Sequence, residues 1–269
     1  MDYYDFLKSK VTLAPQAGLP AEAVSLHPSN FPHQNDAIRW AAEQGRALIA
    51  MNFGLGKTLI QCELARIIAA HTGQPFLIIC PLGVRHQFML EDGRRLGMDI
   101  QHVRTDAEAD AATSPYLITN YERVRDGGLT PATIDRLGGV CLDEGAVLRS
   151  LDSKTSDVFK TLFAQTRYRF VATATPSPND YKELIYYAEF LGVMDHGQAL
   201  TRWFKRDPQK AGHLMLMPSQ TEAFWTWVSS WALFVSSPAD LGHDASAYQL
   251  PPLNVHWTRI AVDQTRAQA

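Results

Sequence analysis

Five consecutive residues, Gly54-Leu55-Gly56-Lys57-Thr58, bring two glycines, a cation and a hydroxyl to the point where an apolar run gives way to a helical pattern. Those residue types suit phosphate. Glycine turns let backbone N–H groups face an anion, and the following helix adds the positive end of its dipole. Lys57 would reach the β and γ phosphates of a nucleotide, and Thr58 would ligate magnesium. The general phosphate loop has a further glycine where Met51 stands, so Gly56-Lys57-Thr58 alone is equally the glycine turn of an ordinary helix start. A second constellation supplies what phosphate hydrolysis still lacks: the apolar stretch Gly139-Val140-Cys141-Leu142 ends in Asp143-Glu144. Adjacent residues at a strand end point in different directions, so Asp143 can hold magnesium through its water shell while Glu144 polarises the attacking water. A third polar strand end, Thr173-Ala174-Thr175-Pro176, follows them.

Alternating strands and helices must position these residues. Arg46 to Ala50 is the first strand, after which Leu59, Ile60, Leu64, Ile67 and Ile68 recur at helical spacing as far as Gly73. Phe76 to Cys80 is wholly apolar and stopped by Pro81, as suits a central strand covered on both faces. The pattern then predicts a helix over Leu82 to Leu96 and strands over Ile100 to Arg104 and Tyr116 to Thr119, the latter feeding a short helix at Tyr121 to Val124. After the Asp143-Glu144 strand come a helix over Ser156 to Phe163 and a strand over Tyr168 to Ala172. Ahead of the loop, Ala37, Ile38, Trp40 and Ala41 have the spacing of a helix, and an amphipathic piece at Tyr4 to Val11 opens an otherwise extended leader. This alternation predicts an α/β fold with a mostly parallel sheet, helices on both faces, and a ligand at the carboxyl ends of the strands.

Beyond Asp180 the pattern turns helical, over Glu183 to Leu191, Ala199 to Phe204 and Thr221 to Phe234. The last of these carries Phe224, Trp225, Trp227 and Trp231, which we read as packing core rather than a base-stacking surface. Leu241 to Pro252 is a turn-rich linker, and Leu253 to Val262 alternates like a new strand.

A formal charge of −3 excludes a uniformly basic nucleic-acid coat, so any such partner must be held by a local patch. Cys62, Cys80 and Cys141 lack metal-ligand spacing and are expected to be buried thiols in a reducing, cytoplasmic setting. With no signal peptide and no apolar run of membrane-spanning length, no membrane partner is expected.

In this order the motifs resemble the first RecA-like domain of the superfamily-two helicases and translocases, most of all the Swi/Snf-related, DEAD/DEAH-type helicases carried by phages and prophages. The similarity rests on FPHQ, GLGKT, IICPLGVRHQ, LITNYERV, CLDEGAVLRS, FVATATPSPND, AEFLGVM, SSPADLG and LPPLNVHW, which run nearly end to end. It implies a leader over 1–30, a RecA-like P-loop domain over 31–182, a helical extension over 183–240, and a linker over 241–269 leading into a second RecA-like domain.

It also implies ATP and Mg2+ as cofactors and double-stranded DNA as a partner. Gln34 would read the adenine edge with Phe31 packing on the base, and Gly54, Leu55, Gly56, Lys57, Thr58 and Leu59 would hold the phosphates. Asp143 and Glu144 would be the magnesium-binding and water-activating acids, and Thr173 and Thr175 would couple hydrolysis to nucleic acid. Pro81, Arg85, Gln87, Thr119, Tyr121 and Arg123 would touch a nucleic-acid backbone.

Two departures stand out. Met51-Asn52-Phe53 replaces an acidic or small polar run, with Phe53 able to alter access to the phosphates, and Ala146 replaces a hydrogen-bonding His or Ser. A second RecA-like domain, in cis or in trans, would bring arginine fingers whose loss costs on the order of a thousandfold or more in turnover. The chain alone is therefore expected to hydrolyse ATP slowly. The alternative is a non-catalytic, truncated helicase-like module that binds a protein or nucleic-acid partner.

Overall fold

The structure is a computed structural model and describes residues 13–149, 154–177, 180–208, 213–248 and 254–258. The expected piece at Tyr4 to Val11 lies outside the described residues, as does half of the stretch Leu253 to Val262. Seven parallel strands form the central sheet: β1 (Arg46–Met51), β2 (Phe76–Cys80), β3 (Gln101–His102), β4 (Tyr116–Asn120), β5 (Gly139–Asp143), β6 (Tyr168–Thr173) and β9 (Ala232–Val235). Their order is β3-β4-β2-β5-β6-β1-β9. A separate antiparallel hairpin joins β7 (Phe204–Arg206) to β8 (Leu214–Leu216).

The period-two alternation of each strand divides the core into two layers. Ala47, Ile49 and Met51 of β1, with Ile78 and Cys141, pack under α1 (Pro32–Gln44) and α2 (Lys57–Thr72). Leu48 and Ala50, with Leu77, Val140 and Leu142, face the other way. There they meet α3 (Tyr121–Arg125), α4 (Lys154–Leu162), α5 (Glu183–Leu191), α6 (His196–Trp203) and α7 (Thr221–Ser229). Cys62, Cys80 and Cys141 are buried free thiols. Among the described residues no helix is long and apolar enough to cross a membrane.

Three expectations are corrected. The helix predicted over Thr221 to Phe234 ends at Ser229, and Ala232–Val235 instead pairs with β1, Leu48 opposite Ala232 and Met51 opposite Val235. An apolar run of that length satisfies either period; the open edge of β1, far away in sequence, decides it. The helix predicted over Ala199 to Phe204 is shifted to His196–Trp203, where the Asp195 side chain caps it, and Phe204 begins the hairpin. The segment 82–96 is not one regular helix: a 3-10 turn at Leu82–Val84 is followed by π winding over Gln87–Asp92 and one turn at Gly93–Arg95. Gly93 fits that winding because a Cβ there would lie 2.5 Å from the Phe88 carbonyl oxygen. The aromatic cluster is core, with Phe224 and Trp227 fully buried against Trp203 and Trp231 fully buried against Trp227.

Candidate active site

The loop between β1 and α2 sits at the carboxyl end of the sheet. Gly54 and Gly56 both take positive φ, 80° and 77°, which a side chain would strain, and Gly56 caps the helix that Lys57 opens. The first turn of α2 holds no acidic residue and begins with a lysine. A cation there opposes the helix dipole, so the turn is electrostatically matched to an incoming anion. Lys57 Nζ meanwhile donates to the carbonyl oxygens of Met51 at 3.1 Å and Asn52 at 3.3 Å, under the exposed Phe53 ring at 5.2 Å. Burial lowers the Lys57 pKa, and the charges of Glu144 and Asp143 work against that shift. Met51 does not obstruct the loop: its side chain is fully buried in the sheet. Phe53 is exposed beside Lys57.

Gln34, on the first turn of α1, is buried between this loop and Phe31. Its Oε1 accepts from the Phe31 N–H at 2.9 Å and its Nε2 donates to the Leu55 carbonyl at 3.3 Å. Gly56 makes this possible, since a Cβ there would fall 2.1 Å from Gln34 Nε2. His33 Nε2 lies 3.3 Å from the same Leu55 oxygen. The Phe31 ring is half exposed beside His33, with the Arg95 guanidinium over it at 5.6 Å. The Leu55 and Leu59 side chains are buried, so only their backbones remain for a nucleotide.

Asp143 ends β5 on the α2 face, the same face as Cys141. Gln61, one turn into α2, donates from Nε2 to Asp143 Oδ1 at 2.7 Å and accepts from Cys141 Sγ at 3.1 Å. Burial, then the neighbouring Glu144 charge, raise the Asp143 pKa, while Gln61 and Lys57 partly offset them. Among the described residues Glu144 is the one non-glycine with positive φ, 52°. Backbone strain of this kind persists where surrounding structure imposes it, commonly at reacting sites. The Thr173 hydroxyl lies 3.4 Å from Glu144 Oε2, and Thr175 N–H donates to Thr173 Oγ1 at 3.1 Å. The three polar strand ends therefore converge.

Thr58 and Asp143 are the oxygen donors a hard divalent cation prefers. No group of three or more His, Cys, Asp or Glu among the described residues could hold a metal by itself. The donor set fits magnesium that arrives with nucleotide phosphates and keeps several waters.

The expected nucleic-acid residues separate. Arg85, Gln87 and Arg123 are at least partly exposed at the carboxyl edge beyond β2 and β4, with Pro81 half buried beside them. The Thr119 and Tyr121 side chains are buried, and Tyr121 OH donates to the Asp143 carbonyl at 2.5 Å. Thr119 is covered within β4, and Tyr121 and Arg123, two residues apart on the helix α3, point to roughly opposite sides, so Tyr121 faces the core while Arg123 faces out. Tyr121 thereby ties the turn carrying Arg123 to the acidic pair. Gln61 was not anticipated, although a glutamine among Leu59, Ile60 and Leu64 is the visible signal of a buried polar position.

No curated relative matches the sequence. Among solved structures, the Sulfolobus solfataricus SWI2/SNF2 ATPase core in complex with double-stranded DNA has 19% identity and a TM-score of 0.59, covering 78% of this chain and 46% of that one. The SWI2/SNF2 ATPase core domain of the same organism has 18% identity and a TM-score of 0.59, covering 89% and 50%. The UvsW helicase of bacteriophage T4, at 18% identity and a TM-score of 0.48, covers 70% and 64% and adds no weight. The chain thus spans about half the length of the two Sulfolobus structures. These likenesses fit the RecA-like order of the sheet, and the SNF2-related domain model matches residues 33–216, which include the phosphate loop, the acidic pair and the two threonines. On that match the chain belongs to the SNF2-related domain family.

Proposed function

We propose that this chain is the nucleotide-binding half of a DNA-dependent ATPase, a helicase or double-stranded DNA translocase, that works with a second RecA-like domain. The observation that carries this reading is the hydrogen bond from Gln61 to Asp143, which ties the acidic pair at the end of β5 to the helix that Lys57 opens. ATP enters with its phosphates at the first turn of α2. Lys57 then exchanges the Met51 and Asn52 carbonyls for phosphate oxygens, while Phe31 and Gln34 stand at the adenine end. Magnesium, held by Thr58 and Asp143, would neutralise charge on the phosphates.

Glu144 accepts a proton from the attacking water as its oxygen bonds to the γ phosphorus, the β–γ bridge breaks and ADP leaves. Thr173, beside the Glu144 carboxylate, senses that event, and Tyr121 connects the same strand end to the turn carrying Arg123. Double-stranded DNA is the partner favoured by the Sulfolobus complex and by the exposed arginines. Calorimetric titration of magnesium-ATP, with Lys57→Ala alongside, tests the nucleotide part. Micromolar binding lost in the variant is expected; absence of binding by the unsubstituted chain would favour a non-catalytic module.

A further inference from the structure

The sheet edge beside Arg85 and Arg123 carries two further groups that no motif includes. His102 lies in β3, and Arg85 Nη1 sits 3.2 Å from Nδ1 and 3.1 Å from Nε2 of its ring, a contact with both nitrogens at once that places the guanidinium over the imidazole face. Arg104 leaves the end of β3 and is more than half exposed. Gly128 closes the arrangement: a Cβ there would lie 2.4 Å from the Arg104 carbonyl oxygen and 2.9 Å from that of Arg123, so only glycine lets the two arginine-bearing turns meet. The charged groups around His102 are Arg85 from the segment after β2, Arg104 from its own strand end, Glu108 from the helix Asp106–Asp110, and Arg123 from α3. Three cations face one carboxylate. Glu108 already pairs with Arg104 at 2.5 Å, but an exposed pair of that kind is worth little and yields readily to a phosphate.

We propose that His102 and Arg104 extend the nucleic-acid surface of Arg85 and Arg123 into a four-residue cradle for the DNA phosphodiester backbone, and that His102 takes up a proton when a phosphate enters. This rests on the nucleic-acid reading above. In the free protein, burial and the charges of Arg85, Arg104 and Arg123 hold the His102 pKa down. A phosphate among those arginines reverses the local sign of charge and favours the imidazolium. Proton uptake on binding makes affinity rise as pH falls through the value of the bound state.

The test is fluorescence anisotropy of a short labelled duplex titrated with the full chain from about pH 8 to about pH 5.5, the range in which histidine titrates. His102→Gln, His102→Arg, Arg104→Ala and Arg123→Ala are compared, with thermal melts checking that each variant folds. Affinity of the unsubstituted chain should rise about fivefold more across that range than that of His102→Gln. His102→Arg should bind tightly throughout with a flatter profile. Arg104→Ala should reduce the salt slope by about one, as Arg123→Ala does. If Arg123→Ala weakens binding while His102→Gln keeps the full pH dependence, or Arg104→Ala keeps the full salt slope, the cradle is overturned and the nucleic-acid reading stands. No binding of the duplex by the unsubstituted chain overturns both.

Discussion

Gln61 and Asp143, one on the helix that follows the phosphate loop and the other at the end of a central strand, are joined by a hydrogen bond of 2.7 Å. The same glutamine accepts from the Cys141 thiol, so both ends of its amide are engaged in a fully buried place. A change in the tilt of α2 is therefore felt at the acidic pair. Replacing Gln61 with Leu leaves the Asp143 carboxylate short of a donor, and fold stability should fall by about 1–3 kcal/mol. If the bond also orients Asp143, the magnesium concentration needed for ATP binding should rise; a calorimetric titration of metal showing no change would reduce Gln61 to a packing role.

Lys57 is held by two carbonyls and covered by Phe53 before any nucleotide arrives. Lys57→Ala should weaken magnesium-ATP by about 10- to 100-fold, the worth of a charged hydrogen bond to phosphate. Phe53→Ala should act in the opposite direction, tightening binding by about two- to fivefold, because an exposed cation–π contact must be given up on binding. Weaker binding by Phe53→Ala would instead make that ring part of the nucleotide site.

Glu144 combines a positive φ with the water-activating role proposed for it. Glu144→Gln should keep ATP affinity and slow turnover by about 100-fold or more once a second RecA-like domain and DNA are supplied. Full turnover by that variant would remove Glu144 from the mechanism. Glu144→Gly should raise stability by about 1 kcal/mol through relief of backbone strain, again with hydrolysis lost.

Burial and the Glu144 charge raise the pKa of Asp143 in the folded protein. A raised value favours the folded state at low pH, and that contribution is lost as pH rises through the folded-state pKa. Asp143→Asn should consequently be more stable than the unsubstituted chain by about 1 kcal/mol at neutral pH, with the difference vanishing in acid, while ATP hydrolysis disappears. Chemical denaturation at several pH values measures this, and a difference independent of pH would contradict it.

Much of this protein was legible along the chain because the information was local. The two glycines mark a tight turn at a helix start by type and spacing, and Phe76 to Cys80 announces a strand covered on both faces by having no polar residue. The alternation of strands and helices was enough to expect a parallel sheet. What only the tertiary structure decided depends on partners distant in sequence. Ala232–Val235 is a strand because the edge of β1 was open to it. Tyr121 turns inward to the Asp143 carbonyl instead of outward with Arg123, and Gln61 finds its two partners about 80 residues away. Met51, by sequence an intruder in the loop, proves to be core, since the alternation of β1 points it under α2, while Phe53 stays exposed. Propensity and spacing act over one or two turns of chain, whereas burial is settled by whichever surfaces the folded chain brings together.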